Sequence, residues 1–281
     1  MDANSLLDWW KKVASWTSLC KDLKLRGERE TNIIKVKAEQ LYKAIQRYIL
    51  LLSEHRDTLK KHTAELLSIA DNLDKVSKGT KIAGITGGAT TVAGGVAAAA
   101  GVILSPFTLG ASLALTAVGV GVAAAGGVTG ASAAIANKVN VSQDKKKIEK
   151  IFLDYDSLME DIQHCLKFIN EGMEQLKQHD LSVLSEARMD SVRVARMVQL
   201  AATGGASARA IESNSKASGL MQGFALGMDM YFTQGKDGQK LKKGLESKFA
   251  KKIRKLAADL NEALDELVQI KELFSKHCSG E

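Results

Sequence analysis

The chain has 281 residues, of which 39 are basic and 32 acidic, so its formal net charge at pH 7 is +7. That length accommodates one large or two modest domains, and a mean hydropathy of −0.08 argues against a polytopic membrane protein. The positive balance favours a polyanionic partner, either nucleic acid or an acidic lipid surface. Cys20, Cys165 and Cys278 are widely spaced, which argues against a disulfide scaffold and a zinc site.

The first 26 residues are predicted to form one amphipathic helix, because Leu6, Val13, Cys20 and Leu23 recur with the tryptophans at three- and four-residue steps. Tryptophan favours the membrane–water interface, and lysine favours the acidic head groups beside it. The candidates for membrane-interface contact are Trp9, Trp10, Lys11, Lys12 and Trp16. The alternative is that the tryptophans cap the domain core. The segment does not resemble a secretory signal, which predicts a cytoplasmic or peripheral membrane protein.

Three later segments carry the heptad spacing of apolar residues that is typical of packed helices. A long helix is predicted over 28–78, a second over 139–180 and a third, zipper-like helix over 245–276. With only one proline in the chain, they predict an all-α fold, an elongated antiparallel helical bundle. His55 and His62 lie seven residues apart on the first heptad pattern, where they are candidate pH sensors or half-exposed fillers.

Residues 82–137 contain no Asp, Glu, Lys, Arg or His. The halves on either side of Pro106 are each long enough to cross a bilayer, which predicts a glycine- and alanine-rich hydrophobic helical hairpin. We expect this hairpin to be sequestered in the bundle and to insert into membranes; the alternative is a permanently buried core hairpin. The candidate insertion residues are Ile82, Gly84, Gly88, Gly94, Val102, Leu104, Pro106, Phe107, Leu109, Leu113, Leu115, Gly126 and Gly130.

Residues 181–240 form a glycine-rich region with a second apolar segment at 217–232. Asp229 lies inside that segment, and an ionisable group in an apolar segment is by default a functional candidate, here for pH sensing. A core helix with one exposed acid is the alternative. Basic residues outside the hairpin are expected to attract anionic lipid, or else to be solvated helix faces. These are Lys145, Lys146, Lys147, Lys251, Lys252, Arg254 and Lys255.

Three stretches in the same order as in a known family carry a resemblance: LLSIADNLDKVSKGTKIAGI (66–85), LSPFTLGASL (104–113) and FALGMDMYFTQGKDGQKLKKGLESKFAKKIRKLAADLNEALDELVQI (224–270). The chain resembles apolipoprotein L over about residues 30–275. The resemblance implies lipid binding and membrane insertion, with ion-conducting pores in some members. Residues 82–136 match the family's colicin-like hairpin, and Asp229 matches the acid of its pH-dependent channels.

The partners implied are anionic membrane lipids, lipoprotein lipids and a helix-mediated oligomer, without specific nucleic acid. Some family members are extracellular and lipoprotein-associated, whereas others act on organelle or bacterial membranes.

A soluble coiled-coil module that binds protein or nucleic acid is the alternative function. Stacking on bases requires aromatic residues among the basic ones, and aromatics make up 5% of the chain. An enzyme is not predicted, because the near-match GVGVAA (119–124) to a dinucleotide fingerprint lacks a preceding strand. No cofactor, metal site or catalytic residue is predicted.

Overall fold

The structure is a computed structural model that describes residues 1–13, 15–85, 131–233 and 245–279, with side chains omitted for 76–85, 131–143, 229–230, 232–233 and 245–246. The described residues form eight α-helices and no strand, which confirms the all-α prediction. The helices are α1 (Ala3–Lys12), α2 (Trp16–Leu25), α3 (Glu30–Ile85), α4 (Ala131–Lys177), α5 (Leu181–Asp190), α6 (Val192–Ala202), α7 (Ala206–Thr233) and α8 (Leu245–Cys278).

The chain divides into two compact units, each built from separated segments. Unit 1 comprises Met1–Glu65, Ile151–Phe224 and Leu256–Glu281, and unit 2 comprises Leu66–Lys150 and Ala225–Lys255. The helices α3, α4, α7 and α8 each contribute residues to both units.

In unit 1, α3 and α8 pack antiparallel through their heptad residues. The Tyr48 hydroxyl donates a hydrogen bond to the Leu267 carbonyl at 2.7 Å, and further along α3 the Thr63 hydroxyl donates to Asn261 Oδ1 at 2.8 Å. A later residue of α3 therefore contacts an earlier residue of α8, as in any antiparallel pair of helices. Burial raises the pKa of Tyr48, since a phenolate inside the core would lack solvation.

The helices α3 and α4 are also antiparallel. The Cys165 thiol donates to the Ala44 carbonyl at 3.5 Å, and Lys37 Nζ donates to the Gln175 carbonyl at 3.3 Å. Almost all heptad residues on the three long helices are buried where their side chains are described; His55, His62 and Leu158 are half-buried. The heptad patterns therefore identified the contact faces correctly.

The N-terminal segment is two helices, so the predicted single helix over 1–26 is wrong. The Asp2 carboxylate caps α1 by accepting from the Ser5 N–H at 2.7 Å, and the Ser15 hydroxyl caps α2 by accepting from the Ser18 N–H at 3.3 Å. A serine in extended conformation that satisfies a free N–H starts a new helix, while the apolar spacing continues across the break. Gly27, at φ 69°, follows the end of α2.

The described part of the glycine-rich region 181–240 contains the helices α5, α6 and α7, which the sequence did not predict individually. In unit 1, α7 packs antiparallel to α4: Ser207 Oγ donates to Asn170 Oδ1 at 3.0 Å, and Asn214 Nδ2 donates to the Met159 carbonyl at 2.9 Å. Within the ranges given above, no helix has an apolar stretch long enough to cross a membrane, and this includes the part of α7 at 217–232.

The described ends of the uncharged segment 82–137 are helical. The helix α3 extends past the predicted end at 78 to Ile85, and α4 begins at Ala131, before the predicted start at 139. Residues 86–130 lie outside the described residues. The two ends of the uncharged segment are thus helical extensions of amphipathic helices, and neither end contains a proline that would break the helix.

Candidate membrane-binding sites

Most of the predicted insertion residues lie outside the described part of the chain. Ile82 and Gly84 belong to the last turn of α3. The residues that fall in 86–130 are Gly88, Gly94, Val102, Leu104, Pro106, Phe107, Leu109, Leu113, Leu115, Gly126 and Gly130. Their assignment to membrane insertion stays a prediction.

The division into two units separates the charge of the chain. Within its bounds, unit 2 contains 17 basic and 7 acidic residues, a net charge of +10, whereas unit 1 contains 22 basic and 25 acidic residues, a net charge of −3. The whole positive excess therefore belongs to the unit that also contains the uncharged segment 82–137. This distribution suits an anionic surface.

The lysines of unit 2 that were predicted to attract anionic lipid are mostly exposed. On α8 the exposed side chains are Lys251, Lys252 and Lys255, while Phe249 and Ile253 between them are buried. On α4, Lys146 and Lys147 are exposed, and Lys145 Nζ lies 3.6 Å from Glu149 Oε1. The first stretch of α8 therefore has a buried apolar face and an exposed, lysine-rich face.

Arg254 differs from these lysines because it is ion-paired, and its predicted role in attracting anionic lipid stays a prediction. Its Nη2 lies 2.7 Å from Asp71 Oδ1 and its Nη1 lies 2.6 Å from Asp74 Oδ2, so one guanidinium connects α8 with two carboxylates of α3. Hydrogen bonds to Asp71 and Asp74 raise the pKa of Arg254. The charge of Arg254 is thus balanced within unit 2.

The three predicted interfacial tryptophans occupy different environments. Trp16 is 0% exposed, and its Nε1–H donates to the Phe168 carbonyl at 2.9 Å, which supports the core interpretation for this residue. Trp9 and Trp10 are half-buried against the Phe168 ring, whereas Lys11 and Lys12 are exposed. Of the five residues predicted to contact the membrane interface, Trp9, Trp10, Lys11 and Lys12 present accessible surface and Trp16 does not.

The three candidate pH sensors are in different parts of the chain. His55 and His62 belong to unit 1 and are half-buried on α3, with His62 Nδ1 4.0 Å from Glu65 Oε2. Asp229 belongs to the part of α7 in unit 2. Half-burial matches the interpretation of the histidines as heptad fillers, and a pH-sensing role stays a prediction.

Sequence reasoning missed a buried lysine between α3 and α4. Lys37 is 5% exposed; its Nζ donates to Gln175 Oε1 at 3.2 Å and lies 2.9 Å from His179 Nε2. His179 Nδ1 in turn lies 2.8 Å from Glu30 Oε1. Burial lowers the pKa of Lys37, because the ammonium loses hydration. Nothing in the linear pattern marks this lysine, since it flanks the heptad positions as solvated lysines do.

Replacing Lys37 with methionine should change how stability depends on pH. Because the folded-state pKa of Lys37 is lowered from 10.5, the unfolded chain binds more protons in the window between the folded pKa and 10.5. Stability of the natural protein should therefore rise with pH through that window, and the Lys37→Met variant should lack this contribution. The measurement is urea unfolding followed by circular dichroism, from about pH 7 to pH 10.

The decisive quantity is the stability of the natural protein minus that of the variant, because contributions from other titrating groups cancel in it. Lys60→Met, at an exposed position on the same helix, is the matched control and should give a difference that does not vary with pH. A flat difference for Lys37→Met as well would contradict the burial argument.

In the described ranges, no group of three or more His, Cys, Asp and Glu side chains is arranged to hold a metal ion.

Comparison with known proteins decides the family. The family model described as apolipoprotein L matches residues 17–218. The chain belongs to the apolipoprotein L family. The third resembling stretch, 224–270, lies beyond the matched residues, and so does α8.

Relatives within the family include human apolipoprotein L3, 28% identical over 73% of this chain and 56% of its own length. Human apolipoprotein L6 is 27% identical over 76% of this chain and 70% of its own length. The rat apolipoprotein L domain-containing protein 1 is 32% identical over 44% of this chain and 51% of its own length. The chain thus spans about half the length of two of these relatives. No solved structure matches it.

Proposed function

We propose that the protein binds anionic membranes through the lysines of unit 2 and inserts the uncharged segment 82–137 into the bilayer. The observation that carries the proposal is the charge division: a net +10 in the unit that contains this segment, against −3 in the other. Attraction to an anionic surface would therefore act on the unit that has an uncharged segment to insert. Membership of the apolipoprotein L family is consistent with this role.

The electrostatic attraction of these lysines to an anionic leaflet is large enough to affect membrane binding strongly. A lysine near an anionic leaflet contributes about 1 kcal/mol, so Lys251, Lys252 and Lys255 together contribute roughly 3 kcal/mol, about a hundredfold in affinity. This attraction is screened by salt over a distance of about 8 Å at physiological ionic strength. Membrane binding should consequently weaken steeply as salt is raised.

The ends of the uncharged segment also suit insertion. The helices α3 and α4 continue into it from either side, and a helical arm satisfies its own backbone hydrogen bonds in hydrocarbon. The segment is rich in glycine, and each glycine lowers helix stability by about 1 kcal/mol relative to alanine. A hairpin of this composition would leave a soluble packing arrangement at lower cost than a leucine-rich one.

The test compares two triple charge reversals with the same effect on net charge. The variant Lys251→Glu, Lys252→Glu, Lys255→Glu changes unit 2, and the control Lys60→Glu, Lys61→Glu, Lys167→Glu changes exposed lysines of unit 1. Both are measured by co-sedimentation and dye release with phosphatidylserine–phosphatidylcholine vesicles and with phosphatidylcholine vesicles. We expect at least about a hundredfold weaker binding for the unit 2 variant and a much smaller change for the control.

Insertion is tested separately from binding. After the natural cysteines are replaced with serine, a cysteine at Leu115 carries an environment-sensitive dye, whose emission should shift to the blue only with anionic vesicles. Binding without a shift would favour a peripheral role, and equal losses in both charge variants would contradict the special role of unit 2. A protein that neither binds nor permeabilises vesicles would favour the coiled-coil module with a permanently buried hairpin.

A further inference from the structure

A cysteine and a buried lysine share one hydrogen-bond acceptor in unit 1, where α2 and α3 meet the end of α4. The Cys20 thiol donates to Gln175 Oε1 at 3.5 Å, and Lys37 Nζ donates to the same oxygen atom at 3.2 Å. The thiol and the amine are therefore neighbours on different helices. We propose that Cys20 and Lys37 form an oxidative modification site, at which hydrogen peroxide joins the Cys20 sulfur to the Lys37 nitrogen through a sulfenamide bond.

Cys20 is the cysteine of this chain whose surroundings suit oxidation. Peroxide oxidises the thiolate form of a cysteine that it can reach. Burial raises the pKa of the Cys165 thiol to about 12 and that of the Cys278 thiol to about 11, so both stay protonated at neutral pH. Cys20 is half-buried, which leaves part of its surface open to solvent, and the Lys37 ammonium lies beside it. We therefore expect peroxide to act on Cys20 first.

The surroundings of Lys37 suit the release of a proton from its ammonium. Burial lowers the pKa of Lys37, while its charge interaction and hydrogen bond with Cys20 act in the opposite direction. Lys37 Nζ lies 2.9 Å from His179 Nε2, and His179 Nδ1 lies 2.8 Å from Glu30 Oε1. Since a carboxylate only accepts, Nδ1 carries the hydrogen and Nε2 is free to accept one.

His179 is therefore placed to take a proton from the Lys37 ammonium, and the Glu30 carboxylate stabilises the imidazolium that results. The neutral amine is a nucleophile, and rotation about its Cε–Nζ bond directs the lone pair away from His179 towards the sulfur.

The reaction has two steps that balance. First, the Cys20 sulfur attacks one oxygen of hydrogen peroxide, the O–O bond breaks, and the products are a sulfenic acid and one water; sulfur loses two electrons and peroxide gains them. Second, the Lys37 nitrogen attacks the sulfur, the S–O bond breaks, and hydroxide leaves with a proton from the nitrogen as a second water. The product joins α2 covalently to α3.

This modification site goes beyond the proposed membrane function and uses different residues. The side chains that form it belong to unit 1, whereas the lysines and the uncharged segment of that proposal belong to unit 2. The two proposals can therefore fail separately: the triple charge reversal in unit 2 should leave the cross-link unchanged.

The experiment treats the full chain with hydrogen peroxide and follows it by mass spectrometry. The mass of the intact protein should fall by about 2 Da, because two hydrogen atoms leave when the sulfenamide forms. After digestion with trypsin, one joined peptide should contain both Cys20 and Lys37, and dithiothreitol should convert it back to the two separate peptides.

Two variants identify the amine. In Lys37→Met no joined peptide should form, and Cys20 should instead be labelled by dimedone, a reagent for sulfenic acids. Lys24 is exposed and lies one turn from Cys20 on α2, so Lys24→Met is the matched control and should form the same joined peptide as the natural protein.

Peptide mapping of the oxidised natural protein decides the matter even if Lys37→Met does not fold. Unmodified Cys20, or Cys20 labelled by dimedone with no joined peptide, would overturn the proposal. So would a joined peptide that links Cys20 to Lys24 or to another cysteine. A joined peptide that retains one oxygen atom would show a bridge through oxygen and would overturn the assignment of a direct sulfur–nitrogen bond.

Discussion

Replacing Trp16 with alanine should lower the free energy of unfolding by about 3–5 kcal/mol, the range observed for large aromatic residues in protein cores. The Trp16 side chain is 0% exposed, it packs on the Phe168 ring, and it donates a hydrogen bond to the Phe168 carbonyl. The substitution leaves a cavity between α2 and α4 that the surrounding helices can fill only partly. Urea unfolding followed by far-ultraviolet circular dichroism measures the loss.

Two comparisons identify the source of that loss. Trp10 is half-buried, so Trp10→Ala should cost only about 1–2 kcal/mol. From the opposite side of the contact, a Cβ atom at Gly172 would overlap the Trp16 ring, so Gly172→Ala should destabilise by about 1–3 kcal/mol. Gly219 has no such neighbour, and Gly219→Ala should stabilise by up to about 1 kcal/mol. Equal, small effects at Trp10 and Trp16 would support the interfacial interpretation of both.

The sequence predicts the parts of the fold that depend on periodicity. The heptad spacing of α3, α4 and α8 gave the contact faces, because an apolar residue at every third or fourth position must be buried if the helix is to be stable in water. The bounds of α3 were less accurate, since alanine, isoleucine and threonine beyond residue 78 are compatible with a helix and with an apolar arm of a hairpin.

Features that depend on partners distant in the sequence were not predictable. Arg254 and Lys251 look alike in the sequence, yet only Arg254 faces Asp71 and Asp74 of another helix. Lys37 resembles a solvated lysine until α4 covers it. The helical structure of α7 was obscured by its glycines, of which Gly219, Gly223 and Gly227 recur every fourth residue and have no neighbouring atoms within 4 Å of a Cβ position.

The charge division is a consequence of topology. Unit 2 consists of two segments separated by 74 residues of unit 1. The sequence therefore shows a net charge of +7 for the chain, but not how that charge is divided between the units. Once α3, α4, α7 and α8 are divided between the units, the positive excess and the uncharged segment fall together. The candidate membrane site therefore depends on the fold, although each of its residues was recognisable from the sequence.

A chain that ends at Lys255 should not fold, because the segment that it lacks supplies a large part of the unit 1 core. Six large apolar side chains of α8 in unit 1 are at most 6% exposed: Leu256, Leu260, Leu264, Leu267, Ile270 and Phe274. Burial of each contributes about 1.5–3 kcal/mol, roughly 9–18 kcal/mol in all, whereas a whole domain is stable by only about 5–15 kcal/mol. Circular dichroism should show little helix and no cooperative thermal transition.

The outcome matters because α8 lies beyond residues 17–218, which match the family model. The extent of that match alone would suggest that the helix is dispensable. A pair of point variants separates burial from the loss of chain length: Leu264→Lys places a charge in the core, and Asp265→Lys places the same side chain at the neighbouring exposed position. We expect Leu264→Lys to unfold or lose several kcal/mol, and Asp265→Lys to stay within about 0.5 kcal/mol of the natural protein. A truncated chain that keeps its helix content and a cooperative transition would show that the unit 1 core forms without α8.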